Sequence, residues 1–229
     1  MALPTISTPK YEMKIPSTGQ KVTYRPFLVK EEKILMIASE SKDVKEMSKA
    51  MKNVVESCLE TEIDVDSLTV FDLEYIFLNL RSRSVGETVE VSIKCSHCDK
   101  STPVTVDLSD VEVTKQKKSD LKIAIQDDIG VVMRYPTVDD GFDHDSKDPM
   151  KSIIRCIDYI YDSRQVYKAS ESTPAELNEF IDSLNHEHLG KMLKFFEEMP
   201  KVKKKIDFKC LHCGEDDSYT AVGMADFFT

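Results

Sequence analysis

The chain has 229 residues, with 31 Lys and Arg against 41 Asp and Glu, a net charge of −10, and 41% hydrophobic residues. That is enough apolar material for one large or two small folded domains, and the acidic balance disfavours a partner whose phosphates need neutralising. Apolar runs such as Ile34–Ala38 fall far short of the roughly 20 residues that cross a bilayer, and no basic-then-apolar signal opens the chain, so no membrane role and a cytosolic, reducing setting are expected.

The stretch from Tyr11 to Arg25 has extended segments on either side of Ser17-Thr18-Gly19-Gln20 and reads as a hairpin. A helix follows, with Glu31 and Glu32 in its first turn and Ile34, Leu35, Ile37 and Ala38 as its apolar residues. In a second helix, Val44, Met47, Met51, Val54, Val55, Cys58 and Leu59 make one stripe, which places Cys58 in the core. A third begins at Thr69, whose pairing with Asp72 resembles a capping box, and directs Leu73, Ile76, Phe77 and Leu80 inward. From Glu87 the period becomes two: Val89, Val91 and Ile93 alternate with polar residues up to Cys95, and Val104, Val106 and Leu108 return.

Two further strands are predicted at 121–126 and 129–135, with Asp127-Asp128 as their turn. After an acidic loop from Asp139 to Asp148, Pro149 opens a helix whose apolar face is Met150, Ile153, Ile154 and Ile157. Thr173-Pro-Ala-Glu176 marks the start of the next, which buries Leu177, Phe180, Ile181 and Leu184. The last helix carries Leu189, Met192, Leu193, Phe196 and Met199 until Pro200 stops it. A strand over Lys203–Lys209 then runs into Cys210, and Tyr219–Val222 returns.

Two segments match each other: Lys94-Cys-Ser-His-Cys98 and Lys209-Cys-Leu-His-Cys213. Each sets a C-x-H-C turn at the end of a strand. A two-residue spacer lets both thiolates of one turn face a single ion, and two such turns supply four sulfurs. Cys95, Cys98, Cys210 and Cys213 are therefore candidate ligands of a structural zinc. The 111 residues between Cys98 and Cys210 exceed the usual spacer, so the ribbon would be split by a long insertion. Redox chemistry is disfavoured because a thioredoxin-like C-x-x-C opens a helix, and unligated thiols leave the repetition unexplained. His97 and His212 could compete as ligands, although four thiolates already suffice.

Other features are weaker. Asp139, Asp140, Asp143, His144, Asp145 and Asp148 lack the glycine and closing glutamate of a calcium loop and read as a solvated loop. His186-Glu187-His188 cannot set both imidazoles on one helix face and reads as a helix start. The lysines at 201, 203, 204 and 205 are expected to decorate a strand edge. Seven glycines, with no G-x-x-x-x-G-K or G-x-G-x-x-G, argue against common nucleotide enzymes, and no catalytic dyad is evident. The apolar tail Met224–Phe228 must be buried, either over its own core or in a partner groove.

The segments Lys14–Gly19, Tyr24–Met36 and Leu73–Gly86 resemble the baseplate protein family of T-even-type tailed phages. The resemblance implies a non-enzymatic protein made in the host cytoplasm, acting as a baseplate hub component or hub assembly factor and binding other phage baseplate or hub proteins. Candidate contact residues are Arg25, Phe27, Val29, Phe227 and Phe228. A zinc-ribbon module acting on nucleic acid is the competing reading, and net charge weighs against it. The expected fold is α+β: helices and short antiparallel hairpins with a split four-cysteine zinc ribbon. Its segments are 1–84 (hairpin and helices), 85–114 (first ribbon half), 115–200 (inserted strands and helices) and 201–229 (second ribbon half and tail), expected to form one compact unit.

Overall fold

The structure, a computed structural model, describes residues 6–41, 43–116, 121–140 and 149–227. The chain divides into two units: Met1–Val113 with Lys201–Thr229, and the contiguous Thr114–Pro200 between them.

The first unit begins with strands β1 (Tyr11–Lys14) and β2 (Lys21–Tyr24), paired antiparallel with Tyr11 opposite Tyr24. Helices α1 (Val29–Ser41), α2 (Val44–Cys58) and α3 (Val70–Ser84) follow. The capping box at the start of α3 forms: Thr69 Oγ1 accepts from the Asp72 amide, and the Asp72 carboxylate accepts from the Thr69 amide. Asp72 is fully buried yet satisfied, because the Ser17 amide and hydroxyl also donate to it, at 2.9 and 2.5 Å, and so tie the first hairpin to α3. Strands β3 (Thr88–Lys94) and β4 (Ser101–Asp107) form the next hairpin, and a short β5 (Glu112–Val113) ends this part of the chain.

The second unit is a four-stranded antiparallel sheet in the order β6-β7-β8-β9, made of Lys122–Gln126, Ile129–Met133, Ile157–Tyr161 and Val166–Lys168. It carries helices α4 (Pro149–Arg155), α5 (Pro174–Asp182) and α6 (His186–Glu198). Its core joins Ile123, Val131, Met133, Ile153, Cys156, Ile157, Ile181, Met192 and Phe195. Ile157 belongs to β8 and not to the α4 face expected for it. Ile157-Asp-Tyr-Ile-Tyr161 is β-branched and aromatic at nearly every position, which suits a pleated strand better than a helix. In α6 the buried residues are Met192 and Phe195, and Leu193 is turned outward, because Phe195 stacks on Tyr135 with ring centroids 5.8 Å apart. Gly130 on β7 lies under the Tyr161 ring: a β-carbon there would sit 2.1 Å from the Tyr161 hydroxyl oxygen.

The chain returns to the first unit with β10 (Val202–Lys209) and β11 (Asp216–Val222), giving a three-stranded sheet in the order β11-β10-β5. The lysine run is therefore not on an edge strand at Val202 and Lys203, where β10 lies between β5 and β11. Alternation along β10 sends Val202, Ile206 and Phe208 into a core shared with Leu78, Val91, Ile93, Val106, Leu108, Val111, Ala221 and Phe227.

Three hairpins of this unit share one six-residue turn. In each, the first residue accepts from the amide of the fifth and donates to the carbonyl of the sixth: Ile15 with Gly19 and Gln20, Cys95 with Asp99 and Lys100, Cys210 with Gly214 and Glu215. The fifth residue takes a positive φ of 73°, 60° and 77° respectively, a conformation that suits Gly best and is tolerated by Asp.

Candidate metal centre

The second and third of these turns bring four cysteines together. The Sγ atoms of Cys95, Cys98, Cys210 and Cys213 all lie within 4.8 Å of one another. Pairing is crossed between the turns: Cys95 Sγ is 3.8 Å from Cys213 Sγ, and Cys98 Sγ is 3.6 Å from Cys210 Sγ. Cys95 and Cys210 are buried, whereas Cys213 is exposed. Among the described residues no second cluster of His, Cys, Asp or Glu gathers its donor atoms as closely.

Contacts outside the sulfurs also join the two turns. The Ser96 amide donates to Asp217 Oδ2 at 2.8 Å, reaching from the first turn to β11. In the other direction, the Leu211 amide reaches Thr102 Oγ1 on β4 at 3.4 Å, and His212 Nε2 lies 3.0 Å from the Ser101 carbonyl oxygen. Both imidazoles are exposed and neither joins the thiol cluster. Thr102 is buried, and its hydroxyl lies 3.5 Å from Cys210 Sγ. Donation from that hydroxyl, then from the Cys213 and His212 amides, lowers the Cys210 thiol to about 5. Burial raises Cys95. At Cys98 and Cys213 the amides of Lys100 and Glu215 favour the thiolate, but desolvation and the neighbouring thiols outweigh them and the net shift is upward. The arrangement thus favours one thiolate among crowded thiols, and a cation at their centre would stabilise the rest as thiolates.

The remaining cysteines are of a different kind. Burial pushes Cys58 up to about 11 and Cys156 up to about 12, so both stay protonated core residues at neutral pH. The acidic loop offers no comparable cluster among the described residues, and Asp143, His144, Asp145 and Asp148 lie outside them. Asp140 is already engaged: both Arg134 Nη atoms donate to it, at 2.6 and 2.9 Å, as do the amide and hydroxyl of Thr137.

Of the candidate contact residues, Phe27 is 8% exposed and Phe227 fully buried, so neither offers its ring to a partner. Phe227 covers its own unit's core, as an apolar tail must if no groove receives it. Arg25 is half-buried and paired with Glu31, Val29 is exposed, and Phe228 lies outside the described residues. Thr102 and Asp217 were not legible as site residues, because each acts on a turn more than 100 positions away and neither falls in a motif.

The family model described as T4 bacteriophage base plate protein matches residues 8–229. No curated protein and no solved structure matches the chain.

Proposed function

We infer that this chain, which belongs to the T4 bacteriophage base plate protein family, works by binding other phage structural proteins and not by catalysis, as a baseplate hub component or a factor that assembles the hub. The observation that carries this reading is the family match over residues 8–229. No helix among the described residues is long and apolar enough to cross a membrane, and the acidic balance supports protein partners over nucleic acid. Assembly would take place in the host cytoplasm, with the chain then kept in the tail or released.

The four-cysteine cluster is read as a structural zinc site closing a split ribbon, with residues 85–114 and 201–229 as its halves and 115–200 as the insertion. A tetrahedral shell with Zn–S of about 2.3 Å sets sulfurs about 3.8 Å apart. The crossed pairs, at 3.8 and 3.6 Å, have that spacing. Four thiolates would fill the shell, leaving no position for water or substrate, so the ion would supply a cross-link and not a Lewis acid.

Two measurements test the reading together. Elemental analysis of the purified chain should return one zinc per chain, and negligible zinc would remove the metal from the proposal. Capture of the tagged chain from infected cells should recover baseplate proteins; recovery of none would remove the assembly role. Mass spectrometry of purified particles then separates a resident subunit from a factor that leaves.

A further inference from the structure

The four cysteines of the cluster differ in access. Cys95 and Cys210 are buried, Cys98 is partly covered, and Cys213 is exposed. Around Cys210 the Thr102 hydroxyl lies 3.5 Å and the His212 amide nitrogen 3.4 Å from the sulfur, so its surroundings are filled. Sulfurs that share one ion are all thiolates, and access then decides which of them a small oxidant reaches first. That one is Cys213. Each more accessible sulfur also faces a buried sulfur of the other turn: Cys213 faces Cys95 at 3.8 Å, and Cys98 faces Cys210 at 3.6 Å.

Contacts that use no sulfur hold these partners face to face. The Ser96 amide donates to Asp217, the Leu211 amide donates to the Thr102 hydroxyl, and the His212 ring reaches the Ser101 carbonyl. The backbone hydrogen bonds of each cysteine turn are those of the Ile15–Gln20 turn, which has no cysteine. Neither the shape of the turns nor their apposition therefore depends on four free thiolates. Closing a sulfur pair from 3.8 Å to a disulfide of about 2.05 Å needs about 1.7 Å of approach, which side-chain rotation at the two cysteines supplies.

We propose that Cys213 is the oxidation site of the cluster, and that peroxide converts the metal clasp into two crossed disulfides, Cys95–Cys213 and then Cys98–Cys210, which keep the turns joined without the ion. This rests on the zinc reading given above. The Cys213 sulfur attacks one peroxide oxygen: an S–O bond forms, the O–O bond breaks, and the departing hydroxide takes a proton and leaves as water. The Cys95 sulfur then attacks the Cys213 sulfur: the S–S bond forms, the S–O bond breaks, and a second hydroxide is protonated to water. Two thiolates, one peroxide and two protons thus give one disulfide and two waters, with two electrons passing from sulfur to oxygen. A second peroxide does the same for Cys98 and Cys210. Disulfide sulfurs are no longer thiolates, so the site no longer holds zinc. The loop stays closed in both states, and the clasp outlasts a move from a reducing to an oxidising setting.

The test uses the full-length chain, purified under reducing conditions, with its zinc content measured before hydrogen peroxide is added. A sulfenic-acid trap should label Cys213 ahead of every other cysteine. Zinc should be released as the thiols are lost, and peptide mapping by mass spectrometry should find Cys95–Cys213 and Cys98–Cys210. Cys58 and Cys156, both buried, should stay reduced. The oxidised, zinc-free chain should unfold in urea close to the zinc-loaded parent and about 2 M above the reduced chain treated with chelator. Disulfides within a turn, first labelling at another cysteine, or oxidation of Cys58 and Cys156 together with the cluster would overturn the proposal and leave the zinc reading standing. A zinc-loaded chain that keeps all four thiols in peroxide would do the same. A chain purified without zinc would overturn the zinc reading and the exchange of clasps together, whatever disulfides it then forms.

Discussion

Replacing Cys95 by Ser removes one of four clustered sulfurs that, around a zinc ion, would tie residues 95–98 to 210–213. With the intervening chain unfolded, that tie closes a loop of about 110 residues, worth about 4.8 kcal/mol of chain entropy. The inserted unit shortens the loop once it has formed, because β5 and β10 pair at its two ends, Val113 opposite Val202. The remaining loop is about 25 residues, and the same relation gives about 3.5 kcal/mol. Cys95→Ser should therefore cost about 3.5–5 kcal/mol, and at an m-value of about 2 kcal/mol/M the urea midpoint of the first unit should fall by about 2 M. A chelator should lower the parent by a similar amount and the variant by almost nothing, since the cross-link is already lost. Urea unfolding followed by circular dichroism, with zinc content measured on the same samples, checks both. If Cys95→Ser unfolds with the parent and chelation leaves the parent unmoved, the cluster is not a metal cross-link and the loop argument fails.

Three further outcomes are expected. Thr102→Val keeps the shape of a buried residue but removes the hydroxyl beside Cys210, so competition with a chromophoric chelator should show zinc affinity reduced about 10–100-fold with the fold retained. Gly130→Ala places a methyl group against the Tyr161 ring and should destabilise the second unit by about 1–3 kcal/mol, read as a lower urea midpoint. At Glu31, burial favours the neutral acid, but Arg25, the Leu28 amide and Lys30 outweigh it and hold the carboxyl below its ordinary value. Its contribution to stability is complete above the unfolded value of about 4.3 and is lost as pH falls through the lowered folded value. Glu31→Gln should accordingly flatten the acid limb of the stability profile, and an unchanged limb would show that the carboxylate is not the titrating clamp.

Much of the fold was legible because it is set locally. The capping boxes at Thr69 and Thr173 form as their residue types require, and the C-x-H-C repeat pointed to four cysteines that do come together. What escaped depends on distant partners. Nothing near Glu31 shows that Arg25 will let it point inward, and the apolar residues of that helix give no sign that Ile34 and Ile37 stay exposed while the carboxylate is buried. Phe27 and Phe227 read as contact residues, yet both are buried, Phe227 in a core assembled from both ends of the first unit. Ile157 matched a helical stripe by spacing alone, and its place in β8 is set by pairing with Met133.

The turn at Ile15–Gln20 has the same hydrogen bonds and the same left-handed fifth residue as the two cysteine turns, although it has no sulfur to offer an ion. That loop shape is therefore within reach of the bare polypeptide, and a nascent chain can bend each half of its clasp before any ion arrives. On the zinc reading, what would remain for the ion is selection: it would reward the encounter of two preformed halves emerging from the ribosome roughly a hundred residues apart, so that closure would report that everything between them has been made.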